Sequence, residues 1–575
     1  MHHLSIRALA TGFYFCVDVF LIPFITVPWK DKSFPKFPFM KQADYLIIGA
    51  GSAGCVLANR LSADPSKHVI LLEAGGPDKQ ANIPIPGAYA KLFRTKIDWA
   101  FWSEPQKHLN NRRLFLPRGK TLGGCSSTNA MAYVRGNRAD YDQWAALGNT
   151  GWDYENILPY FKRSEDHAQL NSAYHGKEGP LHVGLSTQFQ TPYSAAFLEA
   201  CVAHGIPLTD DYNGAEQNGA ARFQFTIKNG VRQSTATAFL KPVMKRPNLQ
   251  VITHAQAQRI TIENDRATGA EVLIKGQLHS ITARKEVIIC AGAFQSPQLL
   301  LLSGLGPKAE LAQHGIECKK ELPGVGKNLQ DHLFYSVSSV AQQQQGLNHY
   351  IKPLPQLWAA LQWIFQKKGP LTIGPLEAVA FFNLDNTDGR VDTQFHFAPL
   401  HIGEGYDYDM YDMKTFPRYD GYTILPSLLL PQSRGEVRLR DNNPMSAPVI
   451  QPNFLSEEAD LQHLIKAGKK AMELMEHRAF EPYRKKITCP PDSSSDDSWA
   501  EHIRQSVETI YHPVSTCKMG QDEMAVVDER LRVHQIEGLR IADASIMPRI
   551  VAGNTNAPVI MIGEKAADLI MEDNK

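Results

Sequence analysis

The chain has 575 residues, of which 43% are hydrophobic and 21% charged, and its formal net charge is +1. That length exceeds the ~250–300 residues at which a single core stops growing, so two domains are expected. The near-neutral balance gives no case for a nucleic-acid surface, and the composition is that of an ordinary globular protein.

The first 40 residues stand apart. Thr11 to Pro28 is apolar and aromatic except for Asp18 and Pro23, and Lys30, Lys32 and Lys36 follow it. Its length is near the ~17–25 residues a bilayer span needs, so it is a candidate anchor giving membrane association. As a signal peptide it lacks a small-residue cleavage site, and Arg7 is the only clear charge before it. The other reading is translation from Met40, or a loosely attached extension ahead of the first domain.

Tyr45-Leu46-Ile47-Ile48 then runs into Gly49-Ala50-Gly51-Ser52-Ala53-Gly54. Ser52 to Leu61 is rich in helix formers and small residues, and Val69 to Leu72 reads as a second buried strand with Glu73 at its end. Glycines allow the tight turn, the helix N-terminus offers free N–H groups to a pyrophosphate, and Glu73 is spaced to accept from an adenosine ribose. On these residues alone the ligand is a dinucleotide, and a nicotinamide cofactor fits as well as a flavin.

Pro77 to Arg118 carries Pro84, Pro86, Pro105 and Pro117 and reads as a covering segment that includes Asp98-Trp99-Ala100-Phe101. Next comes Gly119-Lys120-Thr121-Leu122-Gly123-Gly124-Cys125-Ser126-Ser127-Thr128-Asn129. Its glycines and hydroxyls suit a loop whose backbone N–H groups face an anion or a polar ring edge. A Walker loop would need Lys after its second glycine, and Lys120 follows the first.

Farther on, Tyr141 to His167 reads helical, Gly179 to Val183 as a strand start, and Ser234 to Leu240 as a short helix. Leu249 to Thr253 and Glu286 to Ala291 are strand candidates. Asp392 to Phe397 alternates polar and apolar, as a half-buried strand does. Gly421 to Leu430 and Gly435 to Leu439 also read as strands, Leu461 to Leu474 as an amphipathic helix, and Ser493 to Ser498 as a polar linker. The eight cysteines, Cys16, Cys55, Cys125, Cys201, Cys290, Cys318, Cys489 and Cys517, form no CxxC and no zinc-finger spacing. They read as free thiols in a reducing compartment, so a cytoplasmic location is expected and no metal.

GAGSAG with EAGG and GKTLGGCSSTN resembles the glucose–methanol–choline (GMC) family of flavin oxidoreductases. Gly292-Ala293-Phe294-Gln295-Ser296-Pro297, Gly324 to His332, His512-Pro513 and Gly553 to Pro558 match the family's later blocks in order, so the resemblance spans Asp44 to about Ile570. It implies mixed α/β and α+β architecture: a Rossmann-like FAD-binding domain with an inserted substrate domain on an antiparallel sheet flanked by helices. The expected partition is residues 41–160, 235–330 and 505–575 for FAD, and 161–234 and 331–504 for substrate.

The resemblance implies FAD contacts from Gly49, Gly51, Ser52, Ala53, Gly54, Glu73 and Ala74. It implies others from Gly123, Gly124, Ser127, Asn129, Ala130 and Met131, and from Asp543, Ala544, Thr555 and Asn556. Ala257 is expected to meet the adenine through its backbone. Some relatives attach FAD through a His where Thr128 stands, so non-covalent FAD is expected here.

Alcohol oxidation needs a base for the hydroxyl proton and a hydride acceptor against the carbinol carbon. His512 suits the base, since histidine titrates near neutrality. Pro513 biases it away from helical backbone, as fits a side chain aimed off a helix end. The resemblance implies His512 as base and Asn554 as the partner holding the substrate oxygen, with Asn556 the alternative. Hydride would pass to flavin N5, and electrons on to a quinone or other carrier. Glu377 corresponds to a carboxylate facing the cavity in choline-type relatives; a hydrogen bond within the protein is its other reading. His332, His396 and His401 either line the cavity or are satisfied core groups, the latter by default. The substrate is a primary aliphatic alcohol or a choline-like one. Other readings are an oxygen-using oxidase, a fatty-acid photodecarboxylase (a branch lacking the histidine that His512 supplies), a lyase, and a catalytically silent flavoprotein.

Overall fold

The computed structural model describes residues 40–575. The candidate anchor and Cys16 lie in the segment ahead of Met40, outside the described residues.

Alternating runs of β-branched and leucine side chains build a seven-stranded sheet. Gln42–Ile48 lies between Val69–Glu73 and the long strand Gln277–Ile289, parallel to both. Leu249–Thr253 extends the parallel set beyond Val69–Glu73, and Leu539–Ile541 pairs in parallel with the end of Gln277–Ile289. Ala255–Glu263 and Arg266–Ile274 complete the sheet as an antiparallel meander. Leu46, Ile47, Val69, Ile70 and Leu71 are wholly buried, as strands covered on both faces must be. The helices Ser52–Leu61 and Asn556–Asp573 pack together along this sheet, so the two ends of the described chain share one core. All the parallel strands end on one edge, where an open α/β sheet binds its ligands.

The second sheet has eight antiparallel strands. Its main order is Arg484–Cys489, Val337–Ala341, Gly421–Leu428, Thr393–Ala398, Ala378–Phe382 and Gly219–Arg222. Leu333–Phe334 pairs with both Gly421–Leu428 and Glu508–Thr509. Helices Pro192–Ala203 and Glu458–Glu476 cover one face with an apolar layer. Among the described residues, no helix is long and apolar enough to cross a membrane, and the seven described cysteines are free.

Several local expectations change. Tyr141 to His167 is two helices, Arg138–Ala146 and Tyr154–Ser164, followed by a short strand Glu165–His167. Gly148 and Gly151, both at positive φ, break the run, and Asp153 caps the second helix. Ser493 to Ser498 is not simply a linker: Ser495 caps helix Asp496–Ser506 through reciprocal bonds with Ser498. Thr393–Ala398 is buried on both faces rather than half-exposed, because it is an interior strand of its sheet. Phe395 and Phe397 enter the helix-covered core, whereas Gln394 and His396 point to the site described below.

Packing behind that sheet is close enough to test. A Cβ at Gly468 would lie 1.9 Å from the Tyr335 hydroxyl and 2.5 Å from the Trp499 ring. Both neighbours are buried, and the Tyr335 hydroxyl donates to Leu464 O at 2.7 Å. Gly468→Ala is expected to cost about 1–3 kcal/mol, seen in chemical denaturation as a lower midpoint at unchanged slope.

Candidate active site

At the strand ends of the first sheet, the backbone closes tightly. Gly49 has φ +106°, and a Cβ on Gly54 would sit 1.9 Å from Gly49 O, so only glycine permits the turn. Glu73 caps it from the neighbouring strand. Its carboxylate accepts from Ala50 N–H at 3.1 Å and Gly75 N–H at 2.8 Å. Burial pushes this carboxyl up to about 7 despite the two amide donors. Ala74 lies between them, half-buried.

The second glycine loop docks directly on the first. Gly123 N–H donates to Ala50 O at 2.7 Å, and a Cβ on Gly124 would meet Gly51 Cα at 2.8 Å. Ser127 Oγ donates to Leu122 O, which holds the loop's curve. Asn129 Oδ1 accepts from Met131 N–H at 3.0 Å and from the buried Arg232 at 2.9 Å, fixing Met131 at φ +63°. Ala130 O faces Gly374, where an added Cβ would approach to 3.2 Å.

The far end of the chain closes the same space. Ser52 Oγ donates to Asn556 Oδ1 at 2.7 Å, and Thr555 precedes the last helix. Against Ala53, Gly563 is packed so closely that a Cβ would lie 3.0 Å from Ala53 Cα. Asp543 spends its carboxylate inside the protein. It accepts from Gly292 N–H at 2.9 Å and Ser296 Oγ at 2.6 Å, and from Ser545 N–H and Oγ. Its side chain is therefore fully committed within the protein. Ala257 stands on the antiparallel strand Ala255–Glu263, where the ladder shifts register between Ala257 and Arg259.

His512 does not come off a helix end. Helix Asp496–Ser506 stops earlier, and Glu508–Thr509 then pairs with Leu333–Phe334, because Val507 is already extended. The chain next turns at Tyr511, which has φ +66° and whose carbonyl accepts from Arg118 at 2.6 Å. Asp331 holds the turn from the opposite strand. Its Oδ1 accepts from His332 N–H at 2.9 Å and His512 N–H at 2.8 Å, and its Oδ2 accepts from Thr509 Oγ1.

The ring tautomers follow from their partners. His332 Nε2 lies 3.0 Å from Leu429 O, which can only accept, so this nitrogen carries the proton. Burial holds His332 down to about 3, so the ring is neutral and its Nδ1 is a lone pair. His512 Nδ1, 3.1 Å away, must therefore donate to it. The free lone pair of His512 is then on Nε2, which receives Asn554 Nδ2–H at 3.2 Å. Burial, followed by the neighbouring His332, His396 and Arg118, holds His512 well below the usual histidine range. The ring is a neutral base with its basic nitrogen pinned.

Around this nitrogen, buried polar atoms lack partners. Gln394 Nε2 donates to Asn554 Oδ1 at 3.4 Å, leaving Gln394 Oε1 unpaired. His396 Nδ1 meets Ser427 Oγ at 3.2 Å, and its Nε2 is unpaired. Buried groups of this kind call for a bound polar ligand. His332, with both ring nitrogens bonded, is a satisfied buried group that lies against His512, whereas His396 and His401 each keep one unpaired ring nitrogen. Asp331, Arg118 and Gln394 are further site residues absent from the expectations above. The signal for Gln394 and His396 was the alternation with Phe395 and Phe397, read there as solvent exposure.

Glu377 lies farther along the same sheet. Its carboxylate accepts from Thr191 N–H at 2.9 Å and Thr191 Oγ1 at 2.7 Å, and burial raises it to about 7. It borders a cleft lined by Arg222, Phe223, Phe225, Ile373 and Leu376. Phe223 stacks on His396 at 5.7 Å, so this cleft is next door to the base.

Among the described residues, Glu165, His167 and His175 form one group that has the donors to surround a cation, within 4.8 Å of one another. Each is already engaged. Glu165 pairs with the buried Arg135 at 2.8 Å and with His175 at 2.9 Å, His175 reaches Asp211 at 2.8 Å, and His167 Nδ1 accepts from Leu170 N–H. A metal ion would compete with the Arg135 guanidinium, so the group is a buried ion-pair network.

GMC oxidoreductase family models match residues 43–334 and 431–563. The chain is 42% identical to the oxygen-dependent choline dehydrogenase of Sinorhizobium fredii over 92% of its length and 96% of that protein. It is 43% identical to the alcohol dehydrogenase [acceptor] of Pseudomonas putida, over 92% of its own length and 95% of the relative. In structure it resembles pyridoxine 4-oxidase from Mesorbium loti, with TM-score 0.82 and 30% identity over 91% of this chain and 98% of that one. It also resembles a formate oxidase of Aspergillus oryzae RIB40 characterised by its FAD modification, with TM-score 0.87 and 26% identity over 93% and 99%.

Removing the Nδ1 acceptor should release the tautomer. His332→Ala is expected to slow alcohol-driven flavin reduction ~10-fold or more, and His332→Asn, which keeps an acceptor, to restore much of it. In the unaltered protein the rate should stay flat from pH 6.5 upward. It should fall only as pH drops through the depressed His512 value, because protonation removes the Nε2 lone pair. Stopped-flow reduction across pH checks both. From its glycine turns to its C-terminal His–Asn pair, the chain belongs to the GMC oxidoreductase family, and it is an FAD oxidoreductase.

Proposed function

We propose that this protein oxidises primary aliphatic alcohols to aldehydes with His512 as the base, and passes the electrons to a quinone or another acceptor of that kind. The observation that carries this reading is the His332–His512–Asn554 chain, which leaves one neutral imidazole nitrogen free to take a proton. FAD, when bound, supplies the two-electron acceptor. The residues that would hold it are the two glycine turns, Glu73, the Asp543–Ala544 backbone and Thr555–Asn556. The backbone around Gly49, Gly54 and Gly124 is too close for side chains, as a pyrophosphate cradle requires.

The chain's own part is proton management. A substrate hydroxyl would replace the Asn554 amide at His512 Nε2 and give up its proton there. The Asn554 amide would then donate to the oxygen as negative charge develops on it. The imidazolium so formed keeps its Nδ1–H on His332, so protonation requires no ring rotation. Asn554 is preferred to Asn556 because Asn556 is committed to Ser52.

Phe223 and Phe225 on the wall of the small cleft beside Glu377 would meet an apolar substrate group. Glu377 supports a second reading, a cationic alcohol such as choline, which is also the substrate in the name of the Sinorhizobium relative. The Pseudomonas relative's name leaves the acceptor unspecified, and the Sinorhizobium relative is named as oxygen-dependent. Thr128 stands where covalent relatives carry histidine, which supports non-covalent FAD.

Anaerobic addition of primary alcohols to the holoenzyme is expected to bleach the flavin, and His512→Ala to slow bleaching by ~10²-fold or more. Bleaching by choline and not by alkanols would select the cationic reading, and peroxide formation in air an oxidase. No bleaching across alcohols, aldehydes and choline would overturn the proposal. Acid precipitation should leave the yellow colour in the supernatant; colour in the pellet would refute non-covalent binding.

A further inference from the structure

One helix of this protein displays its apolar face outward. Pro353–Gln366 carries Leu354, Leu357, Trp358, Leu361, Ile364 and Phe365 on its outer side. They follow the i, i+3, i+4, i+7 pattern and, at ~100° per residue, fall within one arc of ~120° that contains no polar residue. On an ordinary amphipathic helix this stripe would be the core side. Here Leu354 is 79% exposed, Phe365 77%, Trp358 60% and Ile364 55%. The inner side is thin: Ala359 is buried, and the Trp363 indole N–H donates to Gly230 O at 2.8 Å. Six large apolar side chains on one face exceed the scattered exposure of ordinary surfaces.

The charges at its ends say what covers it. Lys352 precedes the helix, and Lys367 and Lys368 follow it. Lys367 Nζ sits 3.5 Å over the Trp363 ring. From His332 to Leu376 the sequence has no aspartate or glutamate. An apolar face with tryptophan, rimmed by lysine and free of acids, is the pattern of a helix lying at the surface of an anionic bilayer. Fourteen residues make about 21 Å of helix, short of the ~30 Å a hydrocarbon core demands, so the helix lies in the plane rather than across it.

We propose that Pro353–Gln366 is an in-plane membrane-docking helix, with its leucines, Trp358 and Phe365 among the acyl chains and its flanking lysines on lipid phosphates. Its position bears on the site: the chain leaves the helix through Pro370–Thr372 and reaches Ile373 and Leu376, which line the cleft beside Glu377. That cleft therefore opens close to the bilayer. If the proposed function holds, an apolar alcohol or a quinone would reach it from lipid rather than from water; the docking itself does not depend on that reading.

The test is co-sedimentation of the full-length flavoprotein with vesicles of phosphatidylcholine alone or mixed equally with phosphatidylglycerol. The protein should bind the mixed vesicles. Trp358→Glu with Phe365→Glu, both exposed and so harmless to folding, should cut that binding about tenfold or more. Flavin content and turnover of a water-soluble alcohol with a soluble dye should not change. Lys352→Gln with Lys367→Gln and Lys368→Gln should remove the preference for anionic vesicles. Undiminished binding by the glutamate variant would overturn the proposal, since other residues, Thr11 to Pro28 included, would then carry it. It would also be overturned if neither protein bound vesicles while sedimentation velocity showed a dimer that the glutamates dissociate, because a second copy would then be the occupant.

Discussion

A single buried carboxylate, Asp331, holds the reactive part of this molecule together. It ties the amides of His332 and His512 and the Thr509 hydroxyl to one point between two paired strands. Burial raises it to about 6 even with these donors and Arg118 nearby. A carboxylate buried at such cost is worth keeping only where geometry must be held closely. What it holds is the relative placement of two imidazoles whose mutual hydrogen bond decides which nitrogen is basic.

The two sheets divide the work. The parallel sheet gathers its strand ends so that two glycine turns, Glu73 and the Asp543 backbone surround one cradle. The antiparallel sheet brings His332, Gln394 and His396 beside His512. The last helix joins them, since Asn554 faces His512 while Asn556, two residues on, bonds Ser52 at the first turn. The first glycine turn and His512 are thus connected through three consecutive residues, 554 to 556, and a shift of one would move the other.

The surface repeats the logic of the interior. Thr393–Ala398 uses alternation to separate a hydrophobic core from a polar site, not from water. Pro353–Gln366 uses helical periodicity to place an apolar stripe outside, not inside. In each case the pattern names the two faces correctly but leaves open which environment each face meets.

By itself the sequence determined the elements whose reasons are local. The turn at Gly49–Gly54 needs glycine because the backbone passes within van der Waals contact of itself. The buried strands beside it need continuous apolar runs, and the family blocks identify the flavoprotein. It singled out His512 and Asn554 through those blocks, but not which nitrogen of His512 carries the lone pair. That is set by a hydrogen-bond chain from Leu429 O through His332 to His512, between residues 83 or more positions apart. Only strand pairing brings these groups within 3.1 Å, and only burial makes both rings neutral. Proximity and dielectric environment are properties of the packed chain, so the choice of the basic nitrogen belongs to the tertiary structure.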